Sequence, residues 1–160
     1  GSVDLLARHP TARRQLASFV AEENRDALDD AVDELLRLTS PVQGLARTTT
    51  RPVSYDTPTG PVTIPEGVKV LLCYGSANRD PGVYGADAEA IDFTRRPRTI
   101  LTFSHGAHHC LGAAAARMQA RVTLTELLRR HPDFGVDSAG IVWAEGNYVR
   151  RPTNVPFRVR

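Results

Sequence analysis

The residues best suited to chemistry lie in one short run, Phe103-Ser104-His105-Gly106-Ala107-His108-His109-Cys110-Leu111-Gly112. Cys110 stands directly ahead of a strongly helical stretch that reads from Leu111 to about Arg130. The first turn of a helix leaves backbone N–H groups without partners, and the helix dipole adds positive potential there. Such a position favours a thiolate, which is the form of cysteine that ligates metal. Gly106 permits a tight turn that a side chain would obstruct, and Gly112 lets the first helical turn approach a flat cofactor. Phe103 is placed to cover the sulfur and keep water away. A cysteine taken alone is most often an inert buried residue. The surrounding pattern makes this one a ligand candidate.

A second pair, Glu34 and Arg37, is spaced to meet on one face of a helix. On spacing alone this is a solvated pair worth roughly a few tenths of a kcal/mol. His105, His108, His109 and Cys110 raise the question of zinc. Zinc sites pair two ligand clusters at set spacings, and His9 and His131 supply no such second cluster.

These residues need elements to position them. Val3 to Arg8 reads as the end of a helix, stopped by His9-Pro10, and a second helix runs from Thr11 to about Val20. Asp26 is the expected cap of a third, which carries Ala27, Leu28, Ala31, Val32, Leu35 and Leu36 at helical spacing and ends at Thr39-Ser40-Pro41. Short strands are expected at Arg47–Val53, Val62–Ile64 and Val68–Leu72, separated by Pro/Gly turns. Residues 79–102 read as a long ordered loop, a feature usually tied to function. In the helix after Cys110, Leu111, Ala115, Met118 and Val122 form one stripe. Short strands around Ile141–Trp143, Tyr148–Val149 and Val155–Val159 close the chain. The expected architecture is α+β and mainly helical, with small β-sheets and the cysteine on a loop before a long helix. One domain spans residues 1–160.

Bulk properties set limits on partners. A net charge of +2, with basic residues dispersed along the chain, argues against nucleic acid as a partner. No apolar run approaches the roughly 20 residues a membrane span needs. Two cysteines, Cys73 and Cys110, make no disulfide framework, and the default setting is cytoplasmic. The chain opens Gly1-Ser2 without Met, as a cloning remnant or a piece of a longer chain would.

The decapeptide Phe103–Gly112 resembles the haem-binding signature of the cytochrome P450 family at each defined position: Phe103, small Ser104, Gly106, basic His108, Cys110, apolar Leu111 and Gly112. Glu34-Leu35-Leu36-Arg37 is similar to the family's Glu-x-x-Arg, and Asp92-Phe93-Thr94-Arg95 places Arg95 as the third member of its buried network. Ala77-Asn78-Arg79-Asp80-Pro81 looks like the bacterial branch. The resemblance covers nearly the whole chain, as the C-terminal portion of the fold.

The resemblance implies haem b (iron protoporphyrin IX) with Cys110 as axial ligand, and a thiolate that favours O–O cleavage. It implies that Arg47 and His108 hold the haem propionates. Ile100 departs from the pattern, since bacterial members often carry a propionate-binding histidine there. Val42, Gln43, Gly44 and Leu45, with Asn147 and Tyr148, resemble substrate-facing segments. The implied activity is monooxygenation of a small organic substrate, using O2 and electrons from a ferredoxin-type or similar redox partner. The family's N-terminal part, with the acid–alcohol pair that delivers protons, is not represented. A missing N-terminal segment or second chain is therefore an expected partner. The alternative is a naturally short haem-binding protein with a non-monooxygenase or accessory role.

Overall fold

The computed structural model describes residues 1–97 and 99–159; Arg98, within the stretch read as a loop, and Arg160 lie outside the described residues. Three helices open the chain: α1 (Ser2–Arg8), α2 (Pro10–Ala21) and α3 (Arg25–Thr39). The cap of α3 is Asn24 rather than Asp26, because the Asn24 side chain accepts the Ala27 N–H at 3.1 Å. Asp26 instead sits inside the first turn, where its charge complements the dipole. Ser40 ends α3 in the left-handed region at φ 33°, its N–H returning to the Leu36 carbonyl.

Two antiparallel hairpin-like pairs follow. Strand β1 (Leu45–Thr48) pairs with β4 (Lys69–Leu72), with Leu45 opposite Leu72 and Arg47 opposite Val70. Between them β2 (Val53–Thr57) pairs with β3 (Gly60–Ile64). The single strand read over Arg47–Val53 is thus two strands around a turn, since the backbone of Thr49 turns back to bond Val68 and Gly67. Residues 79–102 also hold regular structure. A short helix α5 (Pro81–Tyr84) starts at Pro81 under an Asp80 cap, and a 3₁₀ turn covers Leu101–Phe103. It is preceded by α4 (Tyr74–Ala77).

The long helix α6 (Ala113–Arg130) begins two residues later than expected. The stripe Leu111, Ala115, Met118 and Val122 lies on its exposed side. Leu111 is fully exposed, Ala115 is exposed, and Met118 and Val122 are about half exposed. The buried face is Ala113, Leu124 and Leu128, with Ala116, Ala120 and Leu127 packed beside them. Small alanines allow close helix approach, and the ion pairs Arg117–Asp33 (2.6 Å) and Arg121–Asp29 (3.5 Å) fix α6 against α3. The main core combines Leu6, Leu16, Leu28, Ala31, Leu35, Leu124, Leu128 and Phe134. A smaller cluster of Ile100, Phe103 and Ala113 lies where the Cys110 loop meets α6.

Near the C-terminus, β5 (Gly135–Val136) pairs with β8 (Phe157–Arg158), and β6 (Val142–Trp143) with β7 (Pro152–Asn154). Tyr148–Val149 is no strand of its own; Val149 forms an isolated bridge to Val42. Among the described residues the sheets are all two-stranded and antiparallel, so the fold is mainly helical with small sheets.

Candidate functional site

The Cys110 loop is built from its own backbone. The Leu101–Phe103 turn leads into Ser104 at φ 63°, then a second 3₁₀ turn over Gly106–His108. Gly106 has φ 71° and nothing within 4 Å of where a Cβ would stand, so conformation rather than space calls for glycine there. The loop closes when the Cys110 N–H donates to the Phe103 carbonyl at 2.8 Å and the Cys110 carbonyl accepts from Ala113 at 3.2 Å. Cys110 therefore sits three residues ahead of α6 and is exposed. A Cβ on Gly112 would stand 3.9 Å from its sulfur and meet nothing else. Phe103 is buried beneath the loop, its ring stacked with His109 at 6.4 Å and capped by the Arg117 guanidinium at 4.6 Å.

Beside this loop is an open cleft of about 310 Å³ lined by Arg47, Leu72, Tyr74, Leu101, His105 and His108, among others. It brings together Arg47 and His108, which are 61 positions apart in sequence. Arg47 donates to the neighbouring Ala46 carbonyl at 3.0 Å. Among the described residues no carboxylate pairs with Arg47 or His108. Among them, too, no three His, Cys, Asp or Glu side chains gather as a cage for a metal ion. The cleft wall holds Cys73 and the basic side chains Arg47, His105 and His108, and Cys110 follows His108 by two residues on the adjoining loop. A thiol on that loop beside several basic side chains suits a ligand that brings its own metal and its own anionic groups.

The segments read as substrate-facing meet each other. The Gln43 N–H donates to the Tyr148 carbonyl at 2.7 Å, Val42 bridges Val149, and the Arg150 N–H reaches the Pro41 carbonyl at 2.7 Å. Gln43 and Asn147 share a second open cleft of about 350 Å³ with Trp143 and Arg150. Leu45 and Tyr148 are exposed, whereas Gly44 is buried with the Leu72 carbonyl 3.0 Å from its Cβ position.

Behind the loop lies a buried charge network. Arg37 and Glu34 are both fully buried and joined as a two-bond fork at 2.7 and 2.8 Å. Arg37 also donates to the carbonyls of Asn78 (2.6 Å) and Ala88 (2.8 Å), and the Tyr84 ring covers its guanidinium at 4.7 Å. Glu34 accepts in addition from the Asp92 N–H at 3.1 Å and from Arg95 at 3.3 Å. Arg95 then reaches Asp87 at 3.1 Å and the Tyr84 carbonyl. The Arg95 hydrogen bond holds the Asp87 carboxyl below its ordinary value and raises Arg95 in turn, while burial pushes Tyr84 upward. The buried polar roles of Ser40, Asn78 and Thr102 do not follow from their spacing. The one signal in the sequence is the run Ala77-Asn78-Arg79-Asp80-Pro81, which looks like the bacterial branch and gives Asn78 no role of its own.

A thiol on a glycine-bent loop, ahead of a helix and near a cationic cleft, is an arrangement able to take a prosthetic group. The family model "Cytochrome P450" matches residues 12–132. "Cytochrome P450 130" of Mycobacterium tuberculosis is 64% identical over 159 residues, covering 99% of this chain and 37% of that protein. "Biotin biosynthesis cytochrome P450" of Bacillus subtilis is 38% identical over 135 residues, covering 84% of this chain and 32% of that protein. The solved structure of P450BioI with an acyl carrier protein carrying hexadec-9Z-enoic acid superposes with TM-score 0.82 at 34% identity, over 99% of this chain and 38% of that one. The chain belongs to the cytochrome P450 family, and it spans about a third of the length of these relatives.

Proposed function

We propose that this chain forms the haem-thiolate side of a monooxygenase, with Cys110 as the axial ligand of haem b. The observation that carries the reading is the loop that presents an exposed Cys110, its amide held by the Phe103 carbonyl, and that two residues earlier sends His108 into a cleft shared with Arg47; Cys73, which also lines that cleft, lacks that loop and the long helix behind it. The residues present fit the group: one thiolate donor for iron, two basic side chains for the propionates, and apolar Leu72 and Leu101 in the same wall. When bound, haem with a thiolate ligand supplies dioxygen activation, because the thiolate pushes electron density toward O–O cleavage.

The chain's own residues have distinct tasks in this reading. Gly106 bends the loop so that Cys110 faces outward, and the Phe103 carbonyl fixes the Cys110 amide. Phe103 fills the space below the loop and keeps water from entering there. Arg47 and His108 orient the group through charge-assisted hydrogen bonds, which are roughly twice as strong as neutral ones. Glu34, Arg37 and Arg95 hold the loop's surroundings and do no chemistry. Val42, Gln43, Gly44, Leu45, Asn147 and Tyr148 are assigned to the substrate side, because the two segments converge through backbone hydrogen bonds.

The substrate is a small organic molecule, and electrons come from a ferredoxin-type or similar redox partner in the cytoplasm. Among the described residues no helix is long and apolar enough to cross a membrane. The names of related proteins, such as "Mycinamicin IV hydroxylase/epoxidase" and "Steroid C26-monooxygenase", support oxygen insertion as the reaction class. Alone, without the acid–alcohol pair that delivers protons, the haem-loaded chain is expected to consume reductant mainly to make peroxide. The test of the reaction class is turnover of the haem-loaded chain complemented by an N-terminal part of the family, with a reductant, a ferredoxin system and isotope-labelled O2 against a panel of organic substrates. A product carrying one labelled oxygen is expected. Binding of panel members with reductant consumed and no labelled product would favour a haem-binding accessory role instead.

A further inference from the structure

We infer that Asn78 is a positioning residue for the Cys110 loop, joining the buried Glu34–Arg37 network to the turn that presents the cysteine. Its backbone carbonyl accepts from Arg37 at 2.6 Å, and its side chain points toward the loop. Asn78 Oδ1 accepts the Leu101 N–H at 2.7 Å, while Nδ2 donates to Ser40 Oγ at 2.6 Å and to Thr102 Oγ1 at 3.0 Å. Asn78 and Ser40 are fully buried, and Thr102 nearly so. The amide thus bridges the end of α3 to the first turn of the loop. From that turn the Phe103 carbonyl holds the Cys110 N–H.

The polarity of this junction admits no other arrangement of the same groups. Leu101 offers an N–H, so the atom facing it must be an acceptor. Each hydroxyl has one hydrogen, and both are already committed: Ser40 Oγ donates to the Arg37 carbonyl at 2.8 Å and Thr102 Oγ1 to the Leu36 carbonyl at 2.9 Å. Both hydroxyl oxygens can therefore only accept from residue 78. An amide, with one acceptor and two donor hydrogens, satisfies all three neighbours. A carboxylate of the same shape places an acceptor against two oxygens that have no hydrogen left to give.

Helix α4 holds the loop at a second point. Tyr74, four residues before Asn78 and so on the same side of the helical turn, shares a hydrogen bond of 2.9 Å with Ser104 Oγ. Ser104 is the loop residue with φ 63°, a conformation rare for residues other than glycine and in need of support from its surroundings. The turn from Leu101 to Ser104 is therefore pinned at both ends by α4, and the position of Cys110 follows from it. The functional weight of this latch rests on Cys110 being the haem ligand.

The test uses the haem-loaded protein, Asn78→Asp as the shape-preserving variant, and two readouts. Amide hydrogen exchange at Leu101 and Cys110 is expected to accelerate on the order of tenfold, with Leu35 and Leu128 in the main core unchanged. The fraction of reduced, CO-bound protein with the thiolate-type Soret band is expected to fall in step. Unchanged exchange at Leu101 and Cys110, or equal acceleration throughout α3 and α6, would overturn the inference. If Asn78→Asp yields no folded protein, Thr102→Val removes one acceptor at constant shape, and the same local pattern is expected at about threefold. The exchange measurement does not depend on which atom binds iron. A Cys110→Ala variant that kept the thiolate band would refute the ligand assignment alone and leave the latch to be judged on exchange.

Discussion

Two polar regions of this molecule are organised on opposite rules. Around Glu34 and Arg37 the charges are fully buried, and Arg37 has a carboxylate fork, two backbone carbonyls and an aromatic face as partners. Around Cys110 the thiol is exposed, and Arg47 and His108 face a cleft with no carboxylate beside them among the described residues. Groups whose task is to hold the fold are saturated by the chain itself. In the proposed reading Cys110, Arg47 and His108 hold a ligand, and their lack of carboxylate partners among the described residues fits that task, because a partner within the chain would compete with the ligand. Satisfaction of hydrogen bonds thus separates scaffold from site more sharply than residue type does.

The comparison can be broken most forcefully at the saturated end. Removing one member of a buried ion network leaves the others desolvated without compensation, at about 3–5 kcal/mol. Glu34→Ala is therefore expected to lose most folded, haem-loaded protein, read as yield and melting temperature. An unchanged melting temperature would mean that Arg37 finds other partners and that the network is dispensable.

At the free end the expectation is reversed. Arg47→Ala removes a cation that no carboxylate of the described chain uses, so folding stability should change by less than about 0.5 kcal/mol. Haem dissociation should accelerate on the order of tenfold, with the thiolate spectrum intact. Stopped-flow transfer of haem to an acceptor protein measures this. A lower melting temperature of the apo form with unaltered haem loss would move Arg47 to the structural class.

A smaller effect is expected at the exposed margin of the network. The Arg95 hydrogen bond depresses the folded-state value of the Asp87 carboxyl below its unfolded value. The resulting stabilisation is complete above the unfolded carboxylate value of about 4 and is lost as pH falls through the lower folded value. Melting temperatures of wild type and Asp87→Asn should therefore differ above that window and converge below it. Curves that stay parallel through the acid range would remove Asp87 from the network.

The two regions also differ in how much of them the sequence reveals. The motif of the Cys110 loop is local: its glycine, its cysteine and the helix behind it lie within one run and can be read there, whereas its anchoring by Tyr74 and Asn78, 30 and 23 residues from their partners, cannot. The burial of Glu34 and Arg37 depends on Asn78 and Asp92, 41 and 58 residues from their partners, and spacing on one helix says nothing of that closure. The same limit applies to the buried face of α6. Leu111, Met118 and Val122 have helical periodicity, but so do Ala116, Ala120, Leu124 and Leu128, and only the approach of α2 and α3 selects between them. Asn24 and Asp26 are both competent cap types, and only the structure shows which one accepts the free N–H of the first turn: Asn24, from Ala27. Strands of two or three residues such as β5 and β7 exist through their partners and have no pattern of their own.

Whether Cys110 is the thiol that binds iron is read from the absorption spectrum of the reduced, CO-bound haem protein. The red-shifted Soret band from which the family takes its name is expected for the native chain. It should be lost in Cys110→Ala and retained in Cys73→Ala, which removes the only other thiol. Haem-loaded Cys110→Ala with the same red-shifted band would contradict the account.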